Sequence, residues 1–142
     1  MIVVLDTDHL TVVQRKSEPA YSNLSRHLTD GSDRDVRASI ISFEEQMRGW
    51  LSLISRARSP AQEVASYERL EALQEFFSKI PILNYDLKAA EHFARLRRLR
   101  LPVGTMDLRI AAITISVGGI LLTRNTKDFG RVPNLSIDDW TK

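Results

Sequence analysis

The 142-residue chain contains no cysteine. Disulfides are excluded, and a thiolate zinc centre with them, since only three imidazoles, His9, His27 and His92, remain for a soft-metal site. Such a chain suits a reducing cytoplasm. No apolar run approaches the roughly 20 residues of a membrane span. The N-terminus lacks the basic start of a secretory signal, and its apolar run is too short for one. No internal repeat, low-complexity tract or Gly/Ser/Pro-rich linker divides the sequence. One domain over 1–142 is therefore expected, long enough for a hydrophobic core. Neither charge sign dominates. The net charge is +2, with a pI of about 9.1, a balance that permits nucleic-acid binding without requiring it.

What is present is an alternation of strand-like and helical runs. The apolar run 2–5 reads as a buried strand, followed by helical patterns over 8–15 and 19–29 and a turn at 31–35. Residues 36–41 read as a second strand and 43–57 as a helix with Trp50, Leu51 and Ile54 on its apolar stripe. Ser59 and Pro60 form a helix start, cap then first position, for a helix reaching 78. A short strand at 80–84 precedes a helix capped by Asp86 and running to 100. Thr105 is expected to cap a helix over 106–117, closed by Gly118 and Gly119. Strands at 120–123 and 135–137 complete the pattern. Strands separated by helices predict an α/β fold: a three-layer α/β/α domain around a central, mostly parallel sheet of four or five strands.

The acids fall at telling places. Asp6 ends the first strand, Glu45 lies just after the second, Asp107 lies in the first turn of the helix at Thr105, and Asp128 follows the strand at 120–123. Ligand sites of open α/β sheets occur along the edge where strands end, so these four can converge. Unpaired buried carboxylates cost several kcal/mol each. A hard cation, Mg²⁺ or Mn²⁺, removes that cost and prefers oxygen ligands. Such a centre suits phosphodiester hydrolysis. Each acid also has a structural explanation. Ser42 and Glu45 match a capping box, Asp107 suits a helix dipole, Asp8 can cap the first helix, and Asp128 can sit in a turn. Asp6 has the weakest such explanation, because a lone acid ending an apolar strand marks an exposed site.

Four stretches carry a resemblance: IVVLDTDHL at 2–10, ASIISFEEQMRGW at 38–50, LPVGTMDLRIAAIT at 101–114 and ILLTRNTKDFGRVPNLSIDDW at 120–140. In that order they resemble the PIN-domain ribonucleases, specifically the VapC-type toxins of bacterial toxin–antitoxin pairs. The resemblance implies a PIN-like fold and a Mg²⁺- or Mn²⁺-dependent endoribonuclease in which water attacks the phosphodiester, leaving 5′-phosphate and 3′-hydroxyl ends. It implies Asp6, Glu45 and Asp107 as metal-holding residues. Many relatives carry an aspartate where this chain has Asn125, and Asp128 is the nearby carboxylate for that role. Asp8, Thr123 and Asn125 are secondary candidates. Thr123 matches a small hydroxyl residue at the strand exit. Arg124 and Lys127 near the site, and Arg100 in the basic run 92–100, are candidates for the RNA backbone. His9 is read as a helix-start residue. Trp50, Leu51 and Ile54 are read as core, although the family binds its antitoxin across helices in this region. The resemblance also implies a VapB-type antitoxin partner, a homodimer, and contact with DNA only through the antitoxin.

Two other functions fit parts of the pattern. A haloacid-dehalogenase-like phosphatase would use Asp6 as nucleophile in LDTDHLT, but Leu10 stands where that family needs Thr or Val. A non-catalytic PIN-like binding module would dispense with the acids, yet Asp6, Glu45 and Asp107 are all present.

Overall fold

The computed structural model describes residues 1–31 and 33–142. In chain order the elements are β1 (Ile2–Leu5), α1 (Thr7–Arg15), α2 (Ala20–Thr29), β2 (Asp35–Ser39), α3 (Ile40–Ser55), α4 (Pro60–Ser78), β3 (Ile82–Leu83), α5 (Leu87–Arg98), α6 (Thr105–Ser116), β4 (Ile120–Leu122), α7 (Thr126–Phe129) and β5 (Ser136–Asp138). The turn expected at 31–35 includes Ser32, which lies outside the described residues.

The five strands form one sheet in the order β3-β2-β1-β4-β5, and every neighbouring pair is parallel. The expected three-layer α/β/α architecture is therefore present, with the sheet at its full strand number. Period-two alternation along β1 separates the two cores. Val4 faces a cluster built with Phe93 of α5 and Leu108, Ala111 and Ala112 of α6. Val3 and Leu5 face the opposite cluster, with Leu10 of α1, Leu24 of α2, and Leu73 and Phe77 of α4.

Chain order reverses at β1. β2 and β3 add on one side, and β4 and β5 return on the other. The crevice beyond the ends of β1 and β4 is the switch point, where open parallel sheets bind ligands. α6 leads into the start of β4, so its N-terminus, about 18 Å away along the helix axis, stands at the edge where the strands end. A left-handed Gly118, φ 65°, makes the turn between them.

Two helix starts differ from expectation. α3 begins at Ile40, with Ser39 as its cap, accepting the Ser42 N–H at 3.2 Å. The apolar Ile40–Ile41 pair reads locally as strand, but in the fold it opens the helix. α6 begins at Thr105 with Gly104 in the cap position, and no side chain caps it.

Candidate active site

Asp6 follows β1 directly. Its backbone N–H donates to the Leu122 carbonyl of β4 at 3.1 Å. Its Oδ1 accepts the N–H groups of Asp8 at 3.1 Å and His9 at 3.3 Å. Asp6, rather than Asp8, thus caps α1. The residue is 6% exposed. Burial and the neighbouring Asp8 push its pKa up to about 8, against the pull of the Thr123 hydroxyl and the His9 N–H. Asp8 moves the other way. Burial would raise it, but the His9 side chain, Asp6 and the Arg124 backbone N–H hold it below the ordinary carboxylate range.

Glu45 is not part of a capping box. Because α3 starts at Ile40, Ser42 lies in the first turn and Glu45 in the second. No cap explains this acid. It accepts the Thr7 hydroxyl at 3.1 Å. Its pKa is raised by burial and by the charges of Asp107 and Glu44, with Thr7 opposing. Asp107, third residue of α6, is raised by burial and by the charges of Asp128 and Asp8.

One cavity of about 330 Å³ gathers these groups. Asp6, Asp8, Glu45, Asp107 and Asn125 line it with Thr7, Thr11 and Phe129. Asn125 caps the short helix α7, accepting the Asp128 N–H at 3.3 Å and donating from Nδ2 to Asp128 Oδ2 at 3.0 Å. Asp128 is not on the lining. It connects to the cavity through Asn125, and Arg131 stands 3.8 Å from its Oδ1. Thr123 is fully buried and accepts the Asn125 N–H at 2.9 Å. Arg124, Lys127 and Arg100 are exposed, and none lines the cavity. The donors are nearly all oxygens, and three of the four carboxylates are raised by burial and like charge. That combination suits a hard divalent cation, which supplies the missing positive charge. Donor atoms of Asp6, Asp8 and His9 also lie within 4.8 Å of one another.

The sequence alone assigns no site role to Thr7 or Thr11, and only a helix-start role to His9. Thr7 and Thr11 are one helical turn apart, so one face of α1 carries both; that spacing beside an acidic strand end was the available signal. His9 meets its neighbour Asp8 through Nδ1, while its other ring nitrogen meets the distant Trp140 backbone.

A second cavity, about 710 Å³, opens between α1, α3 and α4. Trp50, Leu53 and Phe76 supply apolar walls, while Arg15, Arg56, Arg69 and Lys79 bring positive charge. Trp50 packs, partly buried, against the core built on Leu73 and Phe77 while it faces the groove; Leu51 is 47% exposed, and the core placement expected for it does not hold. Thr7 and Thr11 line both cavities.

No family model matches the sequence. The tRNA(fMet)-specific endonuclease VapC of Salmonella typhimurium is 31% identical over 94 residues, covering 63% of this chain and 71% of that protein. The chain belongs to the VapC family. The tRNA(fMet)-specific endonuclease VapC of Shigella flexneri is 40% identical over 76 residues, 51% of this chain and 58% of that protein. Ribonuclease VapC2 of Rickettsia felis is 27% identical over the full length of both. Among solved structures, VapBC2 of Rickettsia felis bound to a promoter DNA fragment matches with a TM-score of 0.76, at 26% identity over 99% of each chain. DNA-bound VapBC of Salmonella typhimurium matches with a TM-score of 0.74, at 28% identity, covering 99% of this chain and 98% of that one. The VapC fold, a five-stranded parallel sheet with helices on both faces, is the one described above. Among the described residues no helix is long and apolar enough to cross a membrane.

Proposed function

We propose that this chain is the endoribonuclease toxin of a VapBC-type pair, that the whole of 1–142 acts as one nuclease domain, and that Asp6, Glu45 and Asp107 hold its divalent cation. The carrying observation is the convergence of Asp6, Asp8, Glu45 and Asp107 on one cavity at the switch point, with three of them raised. Mg²⁺ or Mn²⁺ bound there would neutralise phosphate oxygens and lower the pKa of water for attack on the phosphodiester. The chain's own residues do the rest. Asp6, anchored by its bonds to β4 and α1, presents a rigid carboxylate. Thr7 aims Glu45. Asn125 brings a neutral amide to the cavity and holds Asp128 beside Asp107, contributing charge at a distance. Arg124 and Lys127, exposed next to this wall, are suited to phosphate contact.

The groove between α1, α3 and α4 suits the antitoxin. An apolar floor with Trp50 and Phe76 and a basic rim fits an amphipathic segment with acidic residues. Since Thr7 and Thr11 belong to both cavities, a partner lying there reaches the acids. Contact with DNA would come through that partner.

The phosphatase reading is disfavoured by Leu10, which is fully buried in the core and stands where that motif has Thr or Val. A pure binding module has no use for four carboxylates gathered in one cavity at the cost of burial.

The deciding experiment incubates end-labelled total RNA with purified, antitoxin-free protein. Arms contain Mg²⁺, Mn²⁺ or EDTA, with Asp6→Asn beside the wild type. Initiator tRNA is the first purified substrate to include, since two relatives carry that specificity in their names. Discrete fragments that require both cation and Asp6 are expected. Absence of cleavage by folded, cation-loaded protein would refute the reading.

A further inference from the structure

His9 is fully buried, lies on α1 one residue from Asp8, and uses both ring nitrogens. Nδ1 is 2.9 Å from Asp8 Oδ1. Nε2 is 3.4 Å from the backbone nitrogen of Trp140. An amide nitrogen can only donate, so Nε2 accepts. The ring proton of the neutral imidazole therefore sits on Nδ1 and is donated to Asp8.

The amide that fixes this tautomer is itself pinned. The Trp140 indole donates to Asp138 at 2.9 Å. Its ring stacks on His27 of α2, centroids 5.4 Å apart, beneath the Arg34 guanidinium at 4.3 Å. Asn23 of α2 donates to the Thr141 carbonyl at 3.0 Å. The Asp139 carboxylate, 3.7 Å from Nε2, is occupied by the Thr141 N–H at 2.9 Å and the Thr141 hydroxyl at 2.5 Å. The end of the chain thus presents one oriented N–H to the imidazole from 131 residues away.

We propose that His9 is a positioning residue for the acidic cavity. The segment at Trp140 sets its tautomer, and its Nδ1–H fixes the Asp8 carboxylate on the wall of the cavity where Asp6, Glu45 and Asp107 would hold the cation. The proposal rests on the reading of that cavity as the cation site. His9 is close enough to Asp6 and Asp8 to be mistaken for a ligand. It is not one, because Nδ1 carries the proton and Nε2 faces the Trp140 backbone. Partners that orient metal-holding side chains commonly change affinity or activity by about 10–100-fold when removed.

Two substitutions separate positioning from packing. In His9→Asn the side-chain amide takes the place of Nδ1–H and still donates to Asp8. In His9→Gln the amide extends to the place of Nε2 and leaves Asp8 without its donor. Both lose similar ring packing. Mn²⁺ affinity by calorimetry, RNA cleavage and thermal midpoint are measured on each. Expected is Mn²⁺ binding within a few-fold of wild type for His9→Asn and about 10–100-fold weaker for His9→Gln, at similar midpoints. Equal affinities in the two variants, or the reverse ranking, would overturn the proposal. A long-range ¹H–¹⁵N correlation on the wild-type protein reads the tautomer directly, independent of how the variants fold. Protonated Nδ1 is expected, and protonated Nε2 overturns the proposal. Asp6→Asn runs alongside. If it leaves Mn²⁺ binding untouched, the cation site itself is misplaced; if it abolishes binding while the His9 variants match each other, only the positioning role fails.

Discussion

The Thr7 hydroxyl donates to Glu45 Oε1 across 3.1 Å, tying the start of α1 to the second turn of α3. These residues are 38 apart in sequence. The bond opposes the rise in the Glu45 pKa that burial and its acidic neighbours cause. It also fixes where the carboxylate points.

Thr7→Val removes that donor at nearly constant volume. Cleavage and Mn²⁺ affinity are expected to fall by about 10–100-fold, while Thr7→Ser retains most of both. Parallel calorimetric and cleavage titrations of the two variants test this. Retention of both in Thr7→Val, with loss in Thr7→Ser, would mean that the methyl, not the hydroxyl, matters.

The cation-free protein should lose stability as pH rises. Folded Asp6 keeps its proton to about pH 8, whereas an unfolded aspartate releases it near 3.8. Between those values the folded chain binds more protons than the unfolded chain, so unfolding becomes easier with increasing pH. The slope for one such group approaches about 1.4 kcal/mol per pH unit. Glu45 and Asp107, also raised, add in the same direction. Urea unfolding from pH 4 to 8 in EDTA should show this decline, and saturating Mn²⁺ should flatten it, since a bound cation displaces the protons.

Asp6→Asn should abolish cleavage, with a loss of at least about 100-fold in line with removal of a principal charge at a reacting centre. The fold should persist, since asparagine caps helices as well as aspartate does. In EDTA at pH 8 the variant should melt at or above the wild-type temperature, having lost a buried charge. A lower midpoint there would contradict the electrostatic account of Asp6.

Asn125→Asp places a carboxylate where Nδ2 now donates to Asp128 at 3.0 Å. Two like charges at that distance repel. The expected result is reduced stability in EDTA, recovered by Mn²⁺, with tighter Mn²⁺ binding than wild type. Thermal melts with and without the ion check both halves.

The alternation of runs made the layers legible: Ile2–Leu5 and the strand before Thr123 stand out as apolar runs, and Pro60–Ser78 by its Ser59–Pro60 start. Asp6, Glu45 and Asp107 were legible as a set because each follows a boundary between elements. The start of α3 was not. Ile40 and Ile41 are β-branched and read as strand, yet packing against α6 and Leu83 carries them into the helix. Moving that boundary by three residues stripped Glu45 of its capping role, which no local pattern could show. α7 is too short for a period, so Asp128 reads as a turn residue. The Trp140 amide that meets His9 and the Glu45 carboxylate that meets Thr7 lie 131 and 38 residues away, and local sequence does not announce those partners.

Asp6 also knots β1 to α1, because the carboxylate at the bottom of the cavity is the cap on which the first helix begins. Silencing substitutions at this position therefore divide by hydrogen-bond chemistry. Asparagine or serine keeps the knot and leaves a folded, inert protein whose groove is intact. Such a chain would act as a decoy, soaking up antitoxin and freeing any active copy in the same cell. Leucine or alanine removes the cap as well as the charge, at a cost of about 1 kcal/mol in the first helix.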